Sequence, residues 1–176
     1  MKTVTIIKKE IDYILALAKK RRDAKPDSIK NTGILINRNL SNPIENYLPH
    51  FIGIAGEYAW AKHTNRFVDE EIYEVRDSED FDGEEIKTIT YYGFGEPELK
   101  IKVTEFHCKE PKKYILARTN KDKILKSLIN NDEKDIDVEL LGIISRDDFN
   151  KKKTKKQYGA NNPLNYVVSL SNMNIL

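Results

Sequence analysis

Apolar residues fall at helical spacing near the start of the chain. Ile7, Ile11, Ile14, Leu15 and Ala18 recur every three or four positions, which predicts an amphipathic helix over residues 8–22. From 23 to 48 the pattern dissolves: Pro26, Gly33 and Pro43 punctuate a stretch rich in Asn and Ser, in which only residues 33–36 read as a short strand. A connection of that length in a small domain is often a functional one. Helical spacing returns over 49–64, where Phe51, Ile52, Ala55 and Ala59 make an apolar face and Pro49 suits a first turn. Gly53 and Gly56 weaken this helix by roughly 1 kcal/mol each relative to alanine, so close packing against another backbone is the expected compensation.

The remainder reads mainly as strands. Residues 71–76 alternate, with Tyr73 and Val75 on one face, and a second strand covers 84–91. After a turn at 92–97, residues 98–105 alternate with Leu99, Ile101 and Val103 inward and Glu98, Lys100 and Lys102 outward. Tyr114 to Ala117 and Val138 to Ile144 are continuous apolar runs, as in strands covered on both faces. Ile124, Leu125, Leu128 and Ile129 mark a helix over 121–130, and Ser145 followed by Asp148 resembles a capping box for another short one. A lysine-rich loop then leads to a last strand at 166–170. This order predicts a single α/β domain over 1–176, a mixed β-sheet flanked by helices, with an N-terminal helix and loop (1–48) ahead of a core (49–170).

Composition adds the setting. The 176 residues, 39% hydrophobic and 33% charged, suit one soluble globular domain. No apolar run approaches the ~20 residues of a membrane span, and the apolar stretch after Met1 is too short for a signal peptide. Cys108, the single cysteine, excludes an internal disulfide. A cytoplasmic location is the expectation. The formal charge of +2 hides segregation: 69–85 is acidic, whereas Lys19, Lys20, Arg21 and Arg22 form one basic run and Lys151, Lys152, Lys153, Lys155 and Lys156 another. Basic runs beside an acidic centre suit a polyanionic substrate processed at a metal. Each run alone equally describes a solvated face.

The acidic centre is residues 77–92, where Asp77, Glu79, Asp80, Asp82 and Glu84 crowd a turn that enters a β-patterned segment. On a strand, Glu85 and Lys87 share a face and Ile86 points to the core. A divalent cation would relieve the crowded charge, and so would plain solvation. An acid-x-lysine pattern recurs at Glu98/Lys100, also on a strand, but Lys102 continues that face as the outer side of a half-buried strand. An EF-hand-like loop from Ser78 would need a glutamate where Ile89 stands. His50, His63, His107 and Cys108 lack zinc-ligand spacing.

Two motifs in order, Gly53-Ile54-Ala55-Gly56-Glu57 in the helix and Asp80-Phe81-Asp82-Gly83-Glu84-Glu85-Ile86-Lys87-Thr88 on the strand, resemble the PD-(D/E)XK nuclease superfamily with its restriction-endonuclease-like fold, in particular small phage and bacterial members. The likeness runs through Tyr114 to Ala117 and Leu141 to Ile144 to Asn165-Tyr166-Val167-Val168, covering about residues 49–170. It departs in one place: no proline precedes the aspartate, so Asp80 and Asp82 both fit the position, Asp80 with the better spacing to Glu85. The resemblance implies a Mg²⁺-dependent endonuclease acting on DNA, with Mn²⁺ as substitute, of type II restriction or phage DNA-processing kind and acting as a homodimer. Asp80, Glu85 and the Ile86 carbonyl would hold the metal, Glu57 would bind metal or orient water, and Lys87 would position or deprotonate the water and offset transition-state charge. The two basic runs would contact DNA phosphates. A binding module without activity is the alternative, and the intact Asp80, Glu85 and Lys87 argue against it.

Overall fold

The computed structural model describes residues 1–24, 44–68, 70, 80–90, 95–129 and 135–176, with side chains from 47 in the second of these. The expected strands at 33–36 and 71–76, the acids Asp77 and Glu79 and the first half of the 92–97 turn lie outside the described residues. A mixed sheet runs in the order β1 (Lys2–Ile6), β5 (Ile136–Ser145), β4 (Lys113–Thr119), β2 (Glu84–Thr90), with β8 (Asn174–Ile175) added to β5. β2 and β4 are parallel, while β5 is antiparallel to both β4 and β1. The protein is therefore mixed α/β. A second, three-stranded antiparallel sheet, β3 (Glu98–Lys102), β7 (Asn165–Ser169) and β6 (Thr154–Lys156), was not expected as a separate unit.

β1 is also unexpected from the sequence. Val4 and Ile6 alternate into the core opposite Val138 and Ile136, a two-residue apolar pattern too short to announce itself. Helix α1 (Lys8–Asp23) matches the expected span. Helix α2 (Ile44–His63) begins five residues before Pro49, so that proline lies inside the helix rather than in its first turn. The i, i+3, i+4 pattern already starts at Ile44, Tyr47 and Leu48, and Leu48 is buried with Phe51 and Ile54 in the core. α1, α2 and α4 (Lys121–Ile129) share one apolar cluster with the face of the sheet carrying Ile86, Ile115, Ala117, Val138 and Leu140.

The opposite face carries Tyr114, Leu116 and Ile144, packed with Leu99, Ile101, Phe106, Phe149, Tyr166 and Val168. β4 is thus covered on both sides, as its unbroken apolar run implies. The register between β4 and β5 shifts at Leu116/Ala117, so Leu140 and Ile144, which plain alternation would set on one face, lie in opposite clusters. Two segments differ from expectation. Residues 103–105 leave the β3 strand to form α3 (Val103–Cys108), because Phe106 reaches the core at helical spacing from Val103. The lysine-rich segment is not a loop: it closes α5 (Arg146–Lys152), whose N-cap Ser145 Oγ accepts from the Asp148 N–H at 3.0 Å, and then forms β6.

Gly56 earns its place in α2. A Cβ there would lie 1.9 Å from Thr88 Oγ1 on β2, whereas one at Gly53 would meet nothing within 4 Å. Close packing thus explains one glycine and not the other. Gly56→Ala is expected to cost about 1–3 kcal/mol, and Gly53→Ala to add up to about 1 kcal/mol through helix propensity. Thermal unfolding of the two variants should shift in opposite directions.

Candidate active site

The site is built around the first half of β2. Its entry is a tight turn in which Phe81 N–H donates to the Glu84 carbonyl at 3.1 Å and Glu84 N–H to the Phe81 carbonyl at 2.9 Å. Gly83 supplies the φ of 72° that a side chain would strain. Its carbonyl accepts from Lys112 N–H (2.8 Å) and Lys113 N–H (3.1 Å), tying the turn to β4. Glu84 is buried, accepts from Trp60 Nε1 at 2.7 Å, and pairs with Arg66 and with Lys113 Nζ at 2.7 Å. Burial pushes its carboxyl up, but Lys113, Trp60 and Arg66 together outweigh that and hold it below the usual range. These bonds fix the strand to α2 and β4 before the next residue, Glu85, is reached.

Glu85 and Lys87 project on the face of Tyr114 and Leu116, while Ile86 packs with Ile115 on the α2 side. Asp80 lies at the strand edge, its Oδ2 accepting the Ile86 N–H at 2.7 Å. In a strand the N–H and C=O of one residue point to the same edge, so the Ile86 carbonyl is directed toward Asp80. Asp82, two residues on, is exposed. Glu57 comes from α2, buried, and close enough to Asp80 to disfavour its ionisation. The four residues singled out from sequence, with Asp80 in preference to Asp82, therefore meet around one strand.

Their electrostatics are mutually unfavourable. Asp80 is pushed up to about 7, first by burial and then by Glu57. Glu85 is also raised to about 7, by burial and then by Asp80. Two of the three acids have a counter-cation in contact: Arg21 Nη2 lies 2.8 Å from Glu57 Oε2, and Lys87 Nζ 2.6 Å from Glu85 Oε1. Burial disfavours the Lys87 ammonium, yet Glu85 and Glu105 outweigh it and raise its pKa well above the ordinary lysine value. Lys87 is a fixed cation here, not a free base.

No family model, curated protein or solved structure matches this chain.

Two further residues enter from α3, and sequence reading missed both. Glu105 pairs with Lys87, and Lys109 Nζ lies 3.1 Å from each Glu85 oxygen. Glu105 was read as part of a strand, and only the three-residue spacing of Val103 and Phe106, with Pro111 beyond, hinted at a short helix instead. Arg146 holds the end of this helix: Nη2 donates to the Phe106 carbonyl (3.0 Å) and Nη1 to the Lys109 carbonyl (2.7 Å) and the Tyr114 hydroxyl (3.1 Å).

Glu57, Asp80, Glu85 and the Ile86 carbonyl offer oxygen ligands, as a hard divalent cation requires, and the raised pKa values of Asp80 and Glu85 are what such a cation would relieve. As they stand, however, no three acidic or imidazole side chains among the described residues are gathered in metal-holding geometry. Of the two basic runs, the first reaches the site through Arg21. Lys19 and Lys20 are exposed at the end of α1, Lys19 and Arg22 lie over the Tyr47 ring at 5.8 and 4.9 Å, and Arg21 is turned to Glu57. In the second run, Lys151 and Lys152 end α5, Lys153 lies over Phe106 and Tyr166, and Lys155 and Lys156 stand on β6. Glu98, the rival acid, pairs with Lys156 on the small sheet. None of the described helices is long and apolar enough to cross a membrane.

Proposed function

We propose that the protein is a metal-dependent DNA endonuclease of the PD-(D/E)XK kind, with a restriction-endonuclease-like fold, hydrolysing phosphodiester bonds with Mg²⁺ or Mn²⁺. The observation that carries this reading is the meeting of Glu57, Asp80, Glu85 and Lys87, from a helix, a turn and a strand, with two carboxyls raised to about 7. Asp80, Glu85 and the Ile86 carbonyl would hold the cation, with Glu57 beside them. The cation supplies a more acidic water and neutralises charge gathering at phosphorus. Lys87, kept protonated by Glu85 and Glu105, stabilises the negative charge on the phosphoryl oxygens instead of removing a proton. Arg21 must leave Glu57 for that carboxylate to act. The lysines at 19–20 and 151–156 contact the DNA backbone, and cleavage by two copies acting as a homodimer fits a duplex substrate.

The test is to incubate the protein with supercoiled plasmid, a short duplex and single-stranded RNA, each with Mg²⁺, Mn²⁺ or EDTA. Cleavage of DNA that requires the metal is expected. Cleavage that persists in EDTA, or no cleavage of any substrate, contradicts the proposal.

A further inference from the structure

Resting on the nuclease reading, we infer that Lys109 is a second phosphate-binding residue of the site, contacting a non-bridging oxygen of the DNA phosphodiester together with Lys87. Glu85, whose side chain is only 3% exposed, already has Lys87 at 2.6 Å, yet Lys109 approaches both of its oxygens at 3.1 Å. Asp80, Glu85 and Glu105 all face these two lysines, and of the two Lys109 makes the longer contacts. Lys109 keeps 14% of its side chain exposed, bonds both Glu85 oxygens and lies 4.0 Å from Glu105, so it is held less closely than Lys87 at 2.6 Å. A phosphate brought against Lys87 meets the Lys109 ammonium on the same side.

The base of that side chain is rigid. Lys109 N–H donates to the Glu105 carbonyl at 2.9 Å, its own carbonyl accepts from Arg146 at 2.7 Å, and the Arg146 guanidinium lies 4.5 Å from the Phe106 ring centre. A cation on a fixed backbone at the reacting group is the arrangement that lowers the cost of ordering it in the complex. Arg146 is then a positioning residue acting through α3.

The alternative role, simple neutralisation of Glu85, is separated by choice of variant. Lys109→Gln keeps an N–H donor for Glu85 but loses the charge, and Lys109→Arg keeps the charge. Binding of a fluorescent duplex of about 20 base pairs is followed by anisotropy over a salt series in EDTA, with thermal unfolding as the folding control. A lysine that contacts a phosphate contributes about 0.9 to the slope of log affinity against log salt. Lys109→Gln is expected to lose about that much and bind several-fold more weakly at low salt, with Lys109→Arg restoring both. An unchanged slope in folded Lys109→Gln overturns the inference. If the wild type binds duplex with the Lys109-dependent slope but cleaves nothing, the nuclease reading fails and the phosphate contact stands. If the wild type binds no duplex, the phosphate contact falls, and metal-dependent cleavage alone decides the nuclease reading.

Discussion

Lys87→Ala is expected to slow single-turnover DNA cleavage by about 10²–10³-fold, the usual cost of removing one preorganised charge-stabilising group. The effect should fall mainly on the chemical step, with duplex affinity changed only several-fold, the share expected of one lysine contacting a phosphate. Folding is not the obstacle: Lys109 remains 3.1 Å from Glu85 and continues to neutralise it. Glu85→Ala should be at least as slow. Glu98→Ala should cleave like the wild type, since Glu98 pairs with Lys156 and Lys100 on the small sheet. Full activity in Lys87→Ala, or an inactive Glu98→Ala beside an active Glu85→Ala, would place the chemistry elsewhere.

Asp80→Asn is expected to make the metal-free protein more stable at neutral pH while abolishing cleavage. An unfolded aspartate or glutamate titrates near 4, whereas Asp80 and Glu85 titrate at about 7 in the fold. Between those values the folded state binds protons that the unfolded state does not, so stability falls as pH rises from about 4 to about 7 and the cost is complete above 7. The asparagine retains a carbonyl oxygen for the Ile86 N–H and removes the charge facing Glu57. A rise of three pKa units corresponds to about 4 kcal/mol at most. Partial exposure of Asp80 reduces this to about 2 kcal/mol, or roughly 4–8 °C in Tm for a chain of this size. In EDTA the advantage of the variant should be present near pH 7.5 and shrink toward pH 4.5. A variant less stable than the wild type near pH 7.5 would show that the Asp80 charge is not a burden.

The residues around β2 were legible because their signals are local. Strand alternation sets Glu85 and Lys87 on one face, and Asp-Gly marks the turn that places Asp80 at the edge and Asp82 in solvent. What escaped was set by tertiary contact. Thr154, Lys155 and Lys156 look like part of a solvated loop, yet they pair with β7. Val103 to Glu105 alternate as a strand would, yet Phe106 is drawn into the core and turns Glu105 and Lys109 toward Glu85. Arg21 reads as one of four surface charges, and only the packing of α1 on α2 brings it to Glu57.

Binding of Mn²⁺, followed by electron paramagnetic resonance without DNA, tests the central claim most directly. The wild type and Asp82→Asn are expected to bind the ion saturably and alike, and Asp80→Asn and Glu85→Gln to lose at least about tenfold in affinity. Equal binding by all four proteins, or loss in Asp82→Asn alone, would contradict a metal site at Asp80 and Glu85.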